Sequence, residues 1–348
     1  MAVAAASAEH PERLVFLSNL GGGLHRRFER FGNPADLDEA ITFLRGAVDG
    51  ARTEHAHRAM FLSNLGRVLA TRFARVGRLA DLDEAITVGR SAVHAAPADH
   101  PHRAMFLTNL GLALRTRFAR VGRLADLDEA VMRCRDAVHA TPTGQPERPT
   151  YLSNLGLALH TRFERVGGLD DLDAAIAMWR AAVQATAQEH PGRARYLSNL
   201  GLGLCTRFEN VGDSTDLDEA ITVCRDAVDA TPIGHADRRM FLSNLSIGLA
   251  TRFERVGTMD DLAELNRTGV RAAPAEQPGR SVDSPEQRAF AAVLAGELDH
   301  GLRLLTHMQE SGVARVAVAA ANLIDLARTL DTDRAETAET LRWPTATE

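Results

Sequence analysis

Leu62-Ser63-Asn64-Leu65-Gly66, followed by Arg72-Phe73, decides the fold, because close copies of it stand six times in the chain. Its asparagines are Asn19, Asn64, Asn109, Asn154, Asn199 and Asn244, each 45 residues after the last (64 − 19 = 45). A second block, Asp81-Leu82-Asp83-Glu84-Ala85, keeps the same register and recurs with small changes at Asp36, Asp126, Asp171, Asp216 and Asp261. A fixed period between about 20 and 50 residues signals a solenoid, in which each unit buries its apolar face against the next.

Each unit reads as two helices. The first is expected from Pro11 to Phe31, with Leu17, Leu20, Leu24 and Phe28 on one stripe. Pro11, Pro101, Pro146 and Pro191 are expected at its first position. Gly32, Gly77, Gly122, Gly167, Gly212 and Gly257 are its stop signals, since glycine accepts the left-handed conformation. The second helix is expected to open at Asp36 as N-cap, with Glu39 in capping-box position. Its stripe is Leu37, Ala40, Ile41, Leu44, Ala47 and Val48. The expected organisation is a tail over 1–10, six units over 11–275, a linker over 276–285, a C-terminal helical cap or degenerate repeat over 286–343 and a tail over 344–348.

Composition narrows the function. A formal net charge of −6 disfavours a nucleic-acid or membrane-surface binder, and all 40 basic residues are arginine. No run approaches the ~18 apolar residues of a membrane span. Residues 1–9 lack a cationic start and a signal-peptide core, so a cytoplasmic location is expected. Cys134, Cys205 and Cys224 are odd in number and widely spaced, which does not read as a disulfide framework. Cys134 and Cys224 fall on the second helix's buried stripe and read as core.

The residues resemble the tetratricopeptide repeat. Leu65-Gly66 with Leu69, then Ala85, Ala92 and Pro97, match that motif's Leu-Gly, large residue, and spaced Ala, Ala and Pro. The unit is longer by about two helical turns between Gly66 and Ala85. The resemblance covers residues 12–275. The units also look like those preceding caspase-like CHAT domains and like kinesin-light-chain-type repeats, which carry an asparagine before the same leucine. The resemblance implies an all-α, right-handed superhelical solenoid whose first helices line the concave surface.

No catalytic constellation emerges, and no cofactor or metal ion is expected. The chain has no Walker lysine and no strand-rich segment for a CHAT peptidase. His10, His55, His100, His190 and His235 recur just before the first helix and read as helix-start residues. Units spaced ~8–10 Å apart hold such a ladder too far apart to share one metal ion.

The remaining candidates lie on the first helix. Measured from Leu17, Asn19, Gly23, Arg26 and Arg30 fall at roughly 180–240°, opposite the core stripe. Position 23 stays small in most units. Position 26 becomes Thr71, Thr116, Thr161, Thr206 and Thr251, and position 30 becomes Arg75, Arg120, Arg165, Asn210 and Arg255. The six asparagines, the threonines Thr71, Thr116, Thr161 and Thr206 and the arginines Arg30, Arg75, Arg120, Arg165 and Arg255 are therefore the expected ligand-binding residues of a concave groove. A repeat step of ~10 Å matches about three residues of extended chain, so each asparagine can hold every third peptide unit. The alternative is that the asparagines tie neighbouring helices together. The leading expectation is a non-enzymatic scaffold for a protein or peptide partner, in the role of an adaptor or sensor. An accessory subunit docking a catalytic partner through the C-terminal helices is a second reading, and an RNA-binding solenoid a third. Self-association through the open ends is also expected of a solenoid.

Overall fold

The computed structural model describes residues 12–256, 260–261 and 264–265. Every regular element among them is an α-helix: α1 (Arg13–Phe31), α2 (Pro34–Gly50), α3 (Arg58–Val76), α4 (Leu79–Ala95), α5 (Arg103–Val121), α6 (Leu124–His139), α7 (Arg148–Val166), α8 (Leu169–Gln184), α9 (Arg193–Val211), α10 (Ser214–Asp229) and α11 (Arg238–Val256). They divide at Gly212 into two compact units. In the first, α1–α8 form four antiparallel hairpins and α9 follows; the second contains α10 and α11. The expected linker and C-terminal cap, and Pro11, His10 and Gly257, lie outside the described residues.

The second-helix stripe is buried as expected: Leu37, Ala40, Ile41, Leu44, Ala47 and Val48 all lie in the core. Each buried leucine or isoleucine of this kind contributes about 1.5–3 kcal/mol, and two facing stripes supply what neither helix has alone. Gly21 lets the helices of the first hairpin close up, because a Cβ there would stand 2.6 Å from Leu44 Cγ and 3.1 Å from the Ala40 carbonyl. The stop signals hold at Gly32, Gly77, Gly122, Gly167 and Gly212, all left-handed, with φ from 72° to 85°.

Three local expectations are corrected. Pro101, Pro146 and Pro191 do not open the first helices, which begin two residues later at arginine. A turn intervenes, and before four of the first helices a histidine ring closes it: Nδ1 of His55, His100, His190 and His235 accepts the backbone N–H two residues on. Asp36 is not an N-cap. The second helix starts at Pro34, Asn33 caps it through Ala35 N–H, and Asp36 sits buried in the first turn. Arg27 holds it there with two hydrogen bonds of 2.8 and 2.7 Å. Leu20 is 37% exposed whereas Leu65, Leu110, Leu155 and Leu200 are buried. Those four each have a described hairpin on their N-terminal side to pack against, as Leu110 does against Gly89 of α4.

Within the first unit the first helices α1, α3, α5, α7 and α9 touch in a continuous row. Two arginines per repeat secure it. Arg72 binds Asp81 of its own hairpin at 2.8 and 2.6 Å and Asp38 of the preceding one at 2.7 Å; Arg117 repeats this with Asp126 and Asp83. Arg58, Arg103 and Arg148 donate to the last carbonyls of the preceding second helix, at Val48 and Ala51, Val93 and Ala96, and Val138 and Thr141. Carbonyls at a helix C-terminus lack the regular N–H four residues on, so the guanidinium, together with the cap N–H groups that reach Val48 and Val138, closes the helix and complements its dipole.

Candidate functional site

The row of first helices is the surface on which the candidate residues stand. Asn19 is exposed, and Asn64, Asn109, Asn154 and Asn199 are half-buried. Three of these four amides reach back one repeat. Asn64 donates to Ser18 Oγ at 3.1 Å, Asn109 to Ser63 Oγ at 3.1 Å and Asn199 to Ser153 Oγ at 3.2 Å. The serines are buried, and the asparagine hydrogen bond satisfies them. Each such amide keeps its acceptor oxygen and a second N–H.

Asn154 differs. The residue one repeat back is Thr108 rather than serine. Thr108 Oγ1 is buried and unsatisfied. The methyl group of threonine occupies space that serine leaves open, and the asparagine–hydroxyl bond is not made.

Gly23 opens on free space, but its copies in the later hairpins do not face outward. Val68, Ala113 and Ala158 are buried, and a Cβ on Gly203 would meet Trp179 Cζ3 at 2.6 Å. One helical stripe cannot describe a helix packed on two sides. The first helix meets its own partner through Leu17 and Leu24 and the preceding hairpin through positions 20 and 23. The small residues there are packing, not ligand room.

The threonines are half-buried, and their hydroxyls are spent locally: Thr71, Thr116, Thr161 and Thr206 each donate to the carbonyl four residues back, at 2.8–3.1 Å. Two also meet buried histidines across the repeat, His25 with Thr71 at 2.9 Å and His160 with Thr206 at 3.3 Å. Burial first, and the Arg67 guanidinium second, push the His25 imidazole below its usual pKa; burial lowers His160 likewise.

Arg30, Arg75, Arg120 and Arg165 are exposed in the last turns of their helices. Arg30 stacks on Phe31 at 5.3 Å. Arg75, Arg120 and Arg165 make no hydrogen bond or ion pair with the described residues, whereas the arginines at position 27 and its copies are all tied to aspartates. Asn244, Thr251 and Arg255 belong to the second unit, where Thr251 donates to the Ile247 carbonyl.

Between α3, α4 and α5 lies a cavity of about 310 Å³, where Arg67, Thr71, Asn109 and Thr116 stand beside Ala70 and Leu112. It mixes donors, acceptors and apolar surface and holds no nucleophile–base pair. The cysteines are buried, and burial pushes the Cys134 and Cys205 thiols up to about 12 and about 11. Such thiols stay protonated and unreactive at neutral pH. Among the described residues no cluster of His, Cys, Asp or Glu has metal-binding geometry, and no helix is long and apolar enough to cross a membrane.

Sequence reasoning passed over Ser18, Ser63 and Ser153, and the arginines of the Arg-Phe pair. Both recur every 45 residues, which was the available signal (63 − 18 = 45).

No family model and no curated protein matches the chain. Among solved structures, the kinesin light chain nearly identical TPR-like repeats of Podosopora anserina are 19% identical, with 62% of this chain and 96% of that one covered at a TM-score of 0.45. BtubC (BKLC) from P. vanneervenii is 17% identical, covering 71% and 97% at 0.47. YrrB, a TPR protein with an unusual peptide-binding site, is 15% identical, covering 65% and 91% at 0.42. The structures this chain is similar to are tetratricopeptide and kinesin-light-chain-type repeat proteins.

Proposed function

We propose that this chain is a non-enzymatic interaction scaffold that binds an extended segment of a partner protein along the row of first helices. The observation that carries the reading is the set of half-buried asparagines on consecutive first helices, of which Asn64, Asn109 and Asn199 reach back one repeat while retaining an acceptor and a donor. Peptide groups present the matching N–H and C=O, so recognition through the asparagines does not depend on the partner's side chains. Arg75, Arg120 and Arg165 along the same helices, unpaired among the described residues, favour acidic side chains at its edge. Adaptor or sensor roles, and a cytoplasmic setting, are consistent with such a scaffold.

Asn154→Ala is the clean test, because this amide makes no hydrogen bond to the neighbouring helix. Partner binding is expected to weaken several-fold while the urea midpoint stays unchanged. Unchanged binding in Asn154→Ala and in Asn109→Ala together would rule out the asparagine row as the contact surface.

A further inference from the structure

The chain contains its own control for a second site, because its repeats show what the pattern normally does. Consecutive second helices are bridged by arginine and glutamate 39 residues apart: Arg45–Glu84 at 2.6 Å, Arg90–Glu129 at 2.5 Å and Arg225–Glu264 at 2.7 Å. At one place the glutamate is missing. Arg135 occupies the arginine position on α6, and the residue 39 further on is Ala174 (135 + 39 = 174). Arg135 is exposed and makes no hydrogen bond or ion pair with the described residues.

A further departure falls at the same interface, where Gln145 replaces the histidine found at 55, 100, 190 and 235. Met178 keeps the apolar character of Phe43, Val88 and Val223, whereas the preceding hairpin has Arg133 there. Arg135, Gln145 and Met178 line one cavity of about 680 Å³ between α6, α7 and α8. Its floor is apolar, from buried Leu152 and Leu155 and half-buried Met178. Its rim is polar, from Arg135, His139 and Gln145. At the preceding interface the corresponding cavity is smaller, about 360 Å³, and is lined by Arg90, Arg103 and Arg133, with Glu129 bound to Arg90 and Arg133.

We infer that the α6–α7–α8 cavity is a docking site for a partner protein segment carrying one carboxylate side chain next to a large apolar side chain. The carboxylate takes the place of the absent glutamate on Arg135, and the apolar group covers Met178 and the leucines. In the other repeats this arginine receives its carboxylate from a protein helix, so the same guanidinium geometry suits a glutamate or aspartate delivered by another chain. The cavity lies within the range of about 300–1,000 Å³ that holds an anchoring group. This site is separate from the asparagine row, and the two readings stand or fall independently.

The test selects random decapeptides displayed on phage against the full chain. Enriched peptides are expected to pair Asp or Glu with Leu, Met or Phe within one helical turn. Arg135→Ala should weaken a synthetic selected peptide about tenfold, and replacing its acid by the amide should do the same. Ala174→Glu restores the residue seen in the other repeats, so the fold is retained; it should occupy Arg135 and abolish binding. Asn154→Ala should leave this binding unchanged. The proposal is overturned if no peptide is enriched, if selected peptides lack an acid, or if Ala174→Glu leaves binding intact. It is also overturned if 4-phenylbutanoate binds as tightly as the peptides, which would make the cavity a small-molecule pocket.

Discussion

Asn109 donates its amide N–H to Ser63 Oγ at 3.1 Å, joining two helices whose sequences are one full repeat apart. The asparagine is therefore a structural tie as well as a candidate contact, and its copies are not equivalent.

Removing the tie leaves a buried serine hydroxyl without its partner. Asn109→Ala is expected to cost about 1 kcal/mol, and Asn154→Ala close to nothing. Urea denaturation of both variants measures the difference; equal losses would mean that the hydrogen bond at Ser63 contributes nothing.

Thr108 offers the opposite change. Its Oγ1 is buried without a partner, and valine has the same shape without the hydroxyl. Thr108→Val should raise stability by about 1 kcal/mol, read as a higher thermal midpoint.

Arg117 bridges Asp126 and Asp83 on two different hairpins. Asp126 is buried, so Arg117→Met strands a carboxylate and should cost about 3 kcal/mol. The double variant Arg117→Met/Asp126→Leu should recover most of that loss. Failure to recover would place the effect in the Asp83 contact.

The pH dependence has two windows. His25 and His160 have lowered pKa values in the fold; the unfolded chain binds their protons first, so their contribution is full above the unfolded value of about 6.5 and is lost as pH falls below it. Asp36 and Glu129 are lowered by hydrogen bonds from Arg27 and Arg90 respectively. Their contribution is present above the unfolded values near pH 4 and disappears as pH falls through the folded ones. Stability curves should thus drop between pH 7 and 5, then again below 4, and His25→Asn/His160→Gln should flatten the first drop alone.

Cys134 and Cys205, with thiols raised to about 12 and about 11, should not react with a disulfide reagent until the chain unfolds. Rapid labelling of native protein at neutral pH would contradict the burial.

The period of 45 made the hairpin array legible before any coordinates, because the apolar stripe at Leu37, Ala40, Ile41 and Leu44 and the glycine stops at Gly32 and Gly77 are local signals. Local signals misled at Asp36, where the capping pattern was present but Arg27, nine residues away, claimed the carboxylate. They misled again at Val68, because a helical wheel records one partner and the first helix has several. By itself the sequence determined the repeat, the paired helices and the residues that recur. Only the tertiary structure decided which of those residues are spent on each other. Asn109 on Ser63, Arg117 on Asp83 and the idle Arg135 depend on contacts between hairpins, and the geometry of such contacts is set by side-chain size at positions about a whole repeat apart.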